Sequence, residues 1–373
     1  MVSLEKKSKF MNQFKRTTQI LLLMGLSLPI FAQKYSNEFL SIGVGARAQA
    51  MGSSVVASSS DAFSIFWNPA GLADIENEGL QLGIMHAEWF AGIGKHDVFS
   101  FSMPMQNKNS RLGFGLVRFG IDNIPNTLSL YNDDGSINYD NIVEFSAADM
   151  AFFGGFGSKK ELANGYLNYG SSLKVVRRVI GSFANSWGFG LDLGAQYHNN
   201  NDWRIGLLLK DISTTVNTWS ISFTDEEKAI LQATGNDLPG IRSNEITKPS
   251  IILGIGKGFT FETFTLYPEL GLSITTDGQR NALVSGDPIS MDGHFGLELF
   301  YKEFLFLRAG VNQFQRSTDF DGNESLIMKP GIGTGFVINA VELDYSFTNL
   351  VTNNALYSHV LSLKINLKDK KEK

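Results

Sequence analysis

Five histidines, His86, His96, His198, His294 and His359, are the side chains best suited to proton transfer or metal binding near neutral pH. A hydrolytic zinc site puts two imidazoles one helical turn apart with a glutamate between them. Here the nearest two histidines are ten residues apart, and the chain has no cysteine. Thiolate ligands, disulfides and a lipoprotein anchor are thereby excluded. His96-Asp97 could pair a base with its orienting carboxylate. Neighbours near a loop read more simply as a solvated pair. Asp192, Glu298, Glu342 and Asp344 could supply a carboxylate couple for glycosidic chemistry, which needs a fixed separation. Their positions suit the polar lining of an inner wall. Gly113-Phe114-Gly115 and Gly331 to Gly335 are glycine-rich, but no helix signal follows either, so a phosphate cradle is not indicated. They read as inward glycines that make room for something packed against the wall. The expectation is no catalytic set, no metal, no cofactor and no enzyme.

The elements that position these residues begin after an export signal. Lys6, Lys7, Lys9, Lys15 and Arg16 make a basic start. An apolar run from Ile20 to Leu28 follows, and then Pro29-Ile30-Phe31-Ala32. This is the pattern of a secretory signal peptide, residues 1–32, with cleavage after Ala32. The run is too short to span a bilayer as a helix. Removing residues 1–32 takes the formal net charge from −5 to −9, which argues against nucleic acid as a partner. Only 18% of residues are charged, while there are 38 glycines and 29 phenylalanines. Such a balance suits a wall facing lipid on one side and polar groups on the other. A glycine-rich soluble β-protein would share it.

Alternation is the strongest signal. Trp187, Phe189, Leu191, Leu193, Ala195 and Tyr197 interleave with Gly188, Gly190, Asp192, Gly194 and Gln196. Val341, Leu343, Tyr345 and Phe347 do the same against Glu342, Asp344, Ser346 and Thr348. Period two puts each set on one face of a strand. Strands are expected near 79–88, 97–106, 111–121, 147–158, 166–179, 184–198, 202–214, 248–258, 262–275, 292–302, 304–314, 328–338, 339–349 and 356–367. Residues 112–121 and 150–157 do not alternate cleanly. The strands are long for a soluble sheet and suit a tilted membrane strand of about 9–11 residues. Links after even-numbered strands are short. Several after odd-numbered strands are long, notably 122–146 and 215–247. Outer-membrane barrels sort their loops this way, with tight periplasmic turns and long outer loops. The expected fold is all-β: a transmembrane antiparallel barrel of about 14 strands over residues 79–367, in contact with outer-membrane lipid. A charged tail, 368–373, follows.

Residues 33–78 carry no alternating run. Asp61 to Phe66 is expected to form a short helix, capped by Ser60 or Asp61 and ended at Trp67-Asn68-Pro69. The segment is expected to fill the lumen as a plug. Trp219 and Phe223, on the link 215–247 beside a helix-like stretch Asp225 to Ala233, are the candidate partner-facing aromatics; the simpler reading is that they pack the loop against itself or sit at the lipid interface.

The opening of the mature chain resembles a known family. Ser41 to Gly52 (SIGVGARAQAMG), Asp61 to Leu72 (DAFSIFWNPAGL) and Val117 to Thr127 (VRFGIDNIPNT) are similar to segments of the PorV/PorQ family of Bacteroidetes outer-membrane proteins. The Asn68-Pro69-Ala70 triplet is shared with the FadL long-chain fatty-acid channels. The resemblance covers the first third of the chain. It implies a FadL-type barrel with an N-terminal hatch, and a plug motif of Arg47, Asp61, Trp67, Asn68, Pro69 and Ala70. It also implies location in the cell outer membrane and a non-enzymatic adaptor role in the type IX secretion system. The partners would be secretion components or cargo C-terminal domains, held at the outer loops. The alternative is a FadL-like transporter of long-chain fatty acids or other hydrophobic small molecules. An apolar pocket beside residues 34–78 would favour transport. A filled lumen with apolar outer loops would favour the adaptor.

Overall fold

The computed structural model describes residues 36–76, 79–107, 109–132, 134–233, 242–302, 304–318, 321–349 and 357–367. The signal segment and the charged tail lie outside the described residues. Fourteen antiparallel strands close into a barrel. They are β1 Leu80–Trp89, β2 Gly94–Pro104, β3 Ser110–Asn126, β4 Val143–Leu162, β5 Gly165–Ile180 and β6 Ala184–His198. β7 comprises Trp203–Lys210 and Thr215–Ile221, and β8 comprises Arg242–Thr247, Ser250–Lys257 and Phe259–Thr260. Then come β9 Phe264–Thr275, β10 Ser290–Tyr301, β11 Leu305–Thr318, β12 Glu324–Ile338, β13 Val341–Asn349 and β14 Tyr357–Leu367. Pairing of Leu80 with Leu367 through to Glu88 with His359 joins β14 to β1, so no edge is left open.

Each strand expected from alternation is present, and several run further than their hydrophobic pattern. β3 and β4 continue past the expected ends, so the link between them shrinks to residues 127–142. The expected long link 215–247 is partly sheet. Thr215–Ile221 and Arg242–Thr247 pair with each other, and only residues 222–241 lie between them. A helix, Asp225–Ala233, stands there as the sequence indicates. At the opposite rim the turns are tight: β4 joins β5 through residues 163–164, and β12 joins β13 through 339–340.

The two faces of the wall follow the two-residue period. Ile84, Phe99, Phe114, Phe152, Phe189, Leu270 and Ile332 point outward and stay between 41% and 59% exposed. A ring of large apolar side chains of this kind suits hydrocarbon far better than water. His96 and Asp97 also obey the alternation. His96 is fully buried inside, while Asp97 faces out and meets His86 at 2.7 Å. The expected neighbour pair therefore does not exist, because adjacent residues of a strand point to opposite faces.

Residues 36–76 run down the lumen. At the long-loop rim, Asn37 donates to the Thr247 hydroxyl (3.0 Å), and the Asn217 amide donates to Asn37 (2.7 Å). At the tight-turn rim, Asp74 meets Lys159 (2.9 Å) and His198 (3.4 Å). Between the rims lie one-turn helices, Ala46–Ala50 and Ser64–Trp67, and a 3-10 turn, Pro69–Asp74. Inward glycines let the segment touch the wall. A Cβ at Gly115 would strike the Phe66 ring. One at Gly170, Gly206, Gly310 or Gly331 would strike the backbone of Pro69, Val56, Met51 or Gln49.

Candidate functional site

The chemistry of this molecule is concentrated where the inner segment meets the wall, and where the long loops meet above it. The Asn68-Pro69-Ala70 triplet is a local device. Asn68 is fully buried, and its side-chain oxygen accepts the Ala70 N–H at 3.2 Å, capping the 3-10 turn. Pro69 takes the first position of that turn, where a missing N–H costs nothing. It therefore begins a turn as well as following the end of the Ser64–Trp67 helix, which is shorter and later than the expected Asp61 to Phe66. The Asn68 amide donates to the Val56 carbonyl (2.9 Å) and to that of Ala195 on β6 (3.2 Å), tying segment to wall. Ala70 packs with no exposed surface. Trp67 is half-buried and donates its indole N–H to the Val44 carbonyl at 2.7 Å.

Arg47 and Asp61 belong to one charge network. Arg47 makes a forked contact with Glu298 of β10, at 2.8 to 3.2 Å. Glu298 also receives Arg308 of β11 (2.8 Å), which reaches Asp344 of β13 (2.5 Å). Lys364 of β14 lies 3.6 Å from Asp344, 2.7 Å from Glu342 and 3.1 Å from Asp61. The chain of contacts thus starts and ends on the inner segment. Asp61 does double duty, because its other oxygen accepts the Phe63 N–H (2.9 Å) at the start of the short helix. Both Glu298 carboxylate oxygens accept from Arg47. Forked, charge-assisted contacts of this kind fix direction as well as proximity.

A second cluster sits on β5 to β7. Lys174 is fully buried between Asp192 (2.8 Å) and Asp211 (2.7 Å). Asp192 is therefore the partner of a buried ammonium and not merely a polar lining residue, and so are Glu342 and Asp344. The basic members, Lys174, Arg308 and Lys364, escaped the sequence reading as a set. Their signal was available: each occupies an inward position of a strand whose outward neighbours are apolar, and a charge there needs a partner.

Of the two aromatics expected on the outer loop, Trp219 stands in the strand and Phe223 on the link that remains. Between β6 partners Leu193 and Phe189, β7 advances from Leu209 to Val216, so it carries three extra residues. Asp211 and Thr214 take left-handed backbone there, at φ 55° and 59°. An odd insertion reverses which residues face inward. Trp219 consequently lies in the strand, 7% exposed, with its ring 5.0 Å from the Arg178 guanidinium. Phe223 stands just beyond the strand, half-buried and stacked on Phe183 at 6.0 Å. The open surface of the long loops is made by other residues. A groove of about 740 Å³ lies between residues 128–141 and the Asp225–Ala233 helix, lined by Leu128, Tyr131, Ile230 and Ala233 and by the polar Ser129, Asn132, Asp134 and Asn141. Tyr131 and Tyr139 beside it are 62% and 72% exposed. Among the described residues no cluster of His, Asp and Glu has the geometry of a metal site.

No protein-family model matches the sequence, and no curated protein does. Solved structures do match. The toluene transporter TodX of Pseudomonas putida is 12% identical, with a TM-score of 0.53 over 87% of this chain and 98% of that one. A FadL homologue of Pseudomonas aeruginosa is 13% identical, with a TM-score of 0.51 over 87% and 98%. The shared property at such identity is the fold, a closed antiparallel β-barrel.

Proposed function

We propose that this chain is a plugged outer-membrane adaptor whose long loops hold a protein of the type IX export pathway. The observation that carries the reading is the lumen. Residues 44–72 are largely buried and are bound to strands around the whole circumference. A folded cargo has no path through it, so the barrel must act at its outer rim. There the groove between residues 128–141 and the Asp225–Ala233 helix offers apolar side chains, of the kind that anchor a partner. The PorV/PorQ-like segments supply the name of the pathway. The test is secretion. Cells lacking the chain should fail to release or anchor type IX cargo, and a Tyr131→Ser, Ile230→Ser variant that still folds should restore little. Normal secretion in the deletion strain would end the adaptor reading.

A second reading is favoured by one observation, the fold shared with a toluene transporter and a FadL homologue. In it the chain admits a hydrophobic small molecule. A lipid or hydrocarbon retained by the purified barrel, together with intact secretion in cells lacking it, would put this reading first.

A further inference from the structure

A cavity of about 430 Å³ remains inside the barrel, between the Glu38–Ser41 turn, Trp67 and the inner faces of β7 to β11. Its size is that of a small-molecule site, for which about 300–1,000 Å³ is usual. Its floor is a straight cross-strand row. Lys210 lies opposite Ser250, Ser250 opposite Thr275, and Thr275 opposite Ser290. Neighbouring strands are about 4.8 Å apart, so the row runs over roughly 14 Å. It offers a cation and the hydroxyls of Ser250 and Thr275, while the buried Ser290 hydroxyl is held by the backbone of Gly278, Arg280 and Gly286. Lys210 differs from its neighbour Lys174. Both carboxylates beside them, Asp192 and Asp211, contact the Lys174 ammonium and balance Lys210 only at longer range. Among the described residues no carboxylate is in ion-pair contact with Lys210. An adjoining recess shares Glu38, Lys210 and Arg280 and adds Lys248, Asp211 and Asp277. Arg280 is held by Asp277 and, at 3.2 Å, by Glu38 of the inner segment. The apolar lining is scattered over Leu40, Trp67, Ile252, Ala282 and Met291, with no continuous wall for an acyl chain.

We infer that this cavity binds a hydroxylated carboxylate of about sugar-acid size, its carboxylate on Lys210 and its hydroxyls on Ser250 and Thr275. A buried ammonium without a contacting counter-ion gains most from an oxyanion. The serine and threonine hydroxyls can donate to or accept from a polyol. The site does not depend on what the outer loops hold.

The test is calorimetric titration of the detergent-purified full chain with D-glucuronate, and separately with glucose, inorganic phosphate and laurate. Saturable glucuronate binding is expected, stronger than that of glucose or phosphate and weakened by added salt. Lys210→Met should weaken it about tenfold or more, the weight of one charge-assisted contact, while Lys210→Arg should retain it. Ser250→Leu fills the same cavity without touching the Lys174 cluster and should also abolish binding. It keeps the question open to measurement if Lys210→Met does not fold. Absence of glucuronate binding overturns the proposal. So does laurate that competes for the site, phosphate that binds as tightly as glucuronate, or indifference to both Lys210→Met and Ser250→Leu.

Discussion

The two sides of the lumen hold the same segment by different physics. Against β1 to β5 the segment is met by apolar side chains. Met85, Val98, Val117, Ala151, Phe153 and Val176 pack with Phe63, Ile65 and Leu72, and Phe66 meets Phe153 edge-on at 5.0 Å. Against β10 to β14 the wall is charged, and Glu298, Arg308, Asp344 and Lys364 close a circuit through Arg47 and Asp61. Apolar contact has no direction and scales with the area removed from water. A forked ion pair has a single good geometry. The apolar side therefore supplies adhesion, and the charged side sets the rotation and depth of the segment.

The largest expected effect breaks the charged side. Arg308→Met leaves Glu298 and Asp344 without their shared guanidinium, at a cost of roughly 3–5 kcal/mol. Limited proteolysis should then cut within residues 36–76, which the parent protects. If the segment stays protected, the charged side does not set its position. Next comes the apolar side. Ile65→Ala should cost about 2–4 kcal/mol by removing buried methylenes. Denaturant unfolding followed by gel mobility would show this loss, while protease protection should persist. Release of the segment by this change instead would erase the proposed division of labour.

Asp192→Asn asks whether the Lys174 cluster behaves like the β10 to β14 network. Lys174 keeps Asp211, so the expected cost is smaller, about 1–3 kcal/mol, and Asp192→Ala should cost more. Equal stability of parent and Asp192→Asn would show that Asp211 suffices. The smallest effect is at the tight-turn rim. Burial pushes the Asp74 carboxyl upward, but His198 and the Lys159 hydrogen bond outweigh it and leave its value below the ordinary 3.8. A carboxyl depressed on folding stabilises above its unfolded value and loses that contribution as pH falls through the folded one. Asp74→Asn should therefore cost about 1 kcal/mol near neutral pH, with the gap to the parent closing below pH 3.8. A gap that widens on acidification would reverse the sign.

The same contrast accounts for what could be read from the sequence. β6 and β13 alternate cleanly because their inner faces are glycine, polar or charged. Residues 112–121 and 150–157 alternate poorly, and the structure gives the reason. Val117, Phe119, Ala151 and Phe153 face an apolar part of the plug, so both faces of those strands are apolar and the period disappears. The glycines at 113–115 and 331–335 were legible as space for a packed segment, because an inward glycine in a strand has few other uses.

By itself the chain determined a closed barrel of fourteen strands, the parity of its loops and the faces of its regular strands. Those properties follow from local periodicity and turn length, which need no knowledge of distant residues. Only the tertiary structure decided that Arg47 and Asp61 close one circuit through four strands, because those partners lie more than 200 residues away in sequence. It also decided that Trp219 faces inward. Three extra residues in β7 turn the strand over, and such a bulge is fixed by the register of the neighbouring strand, not by the hydrophobic pattern of its own.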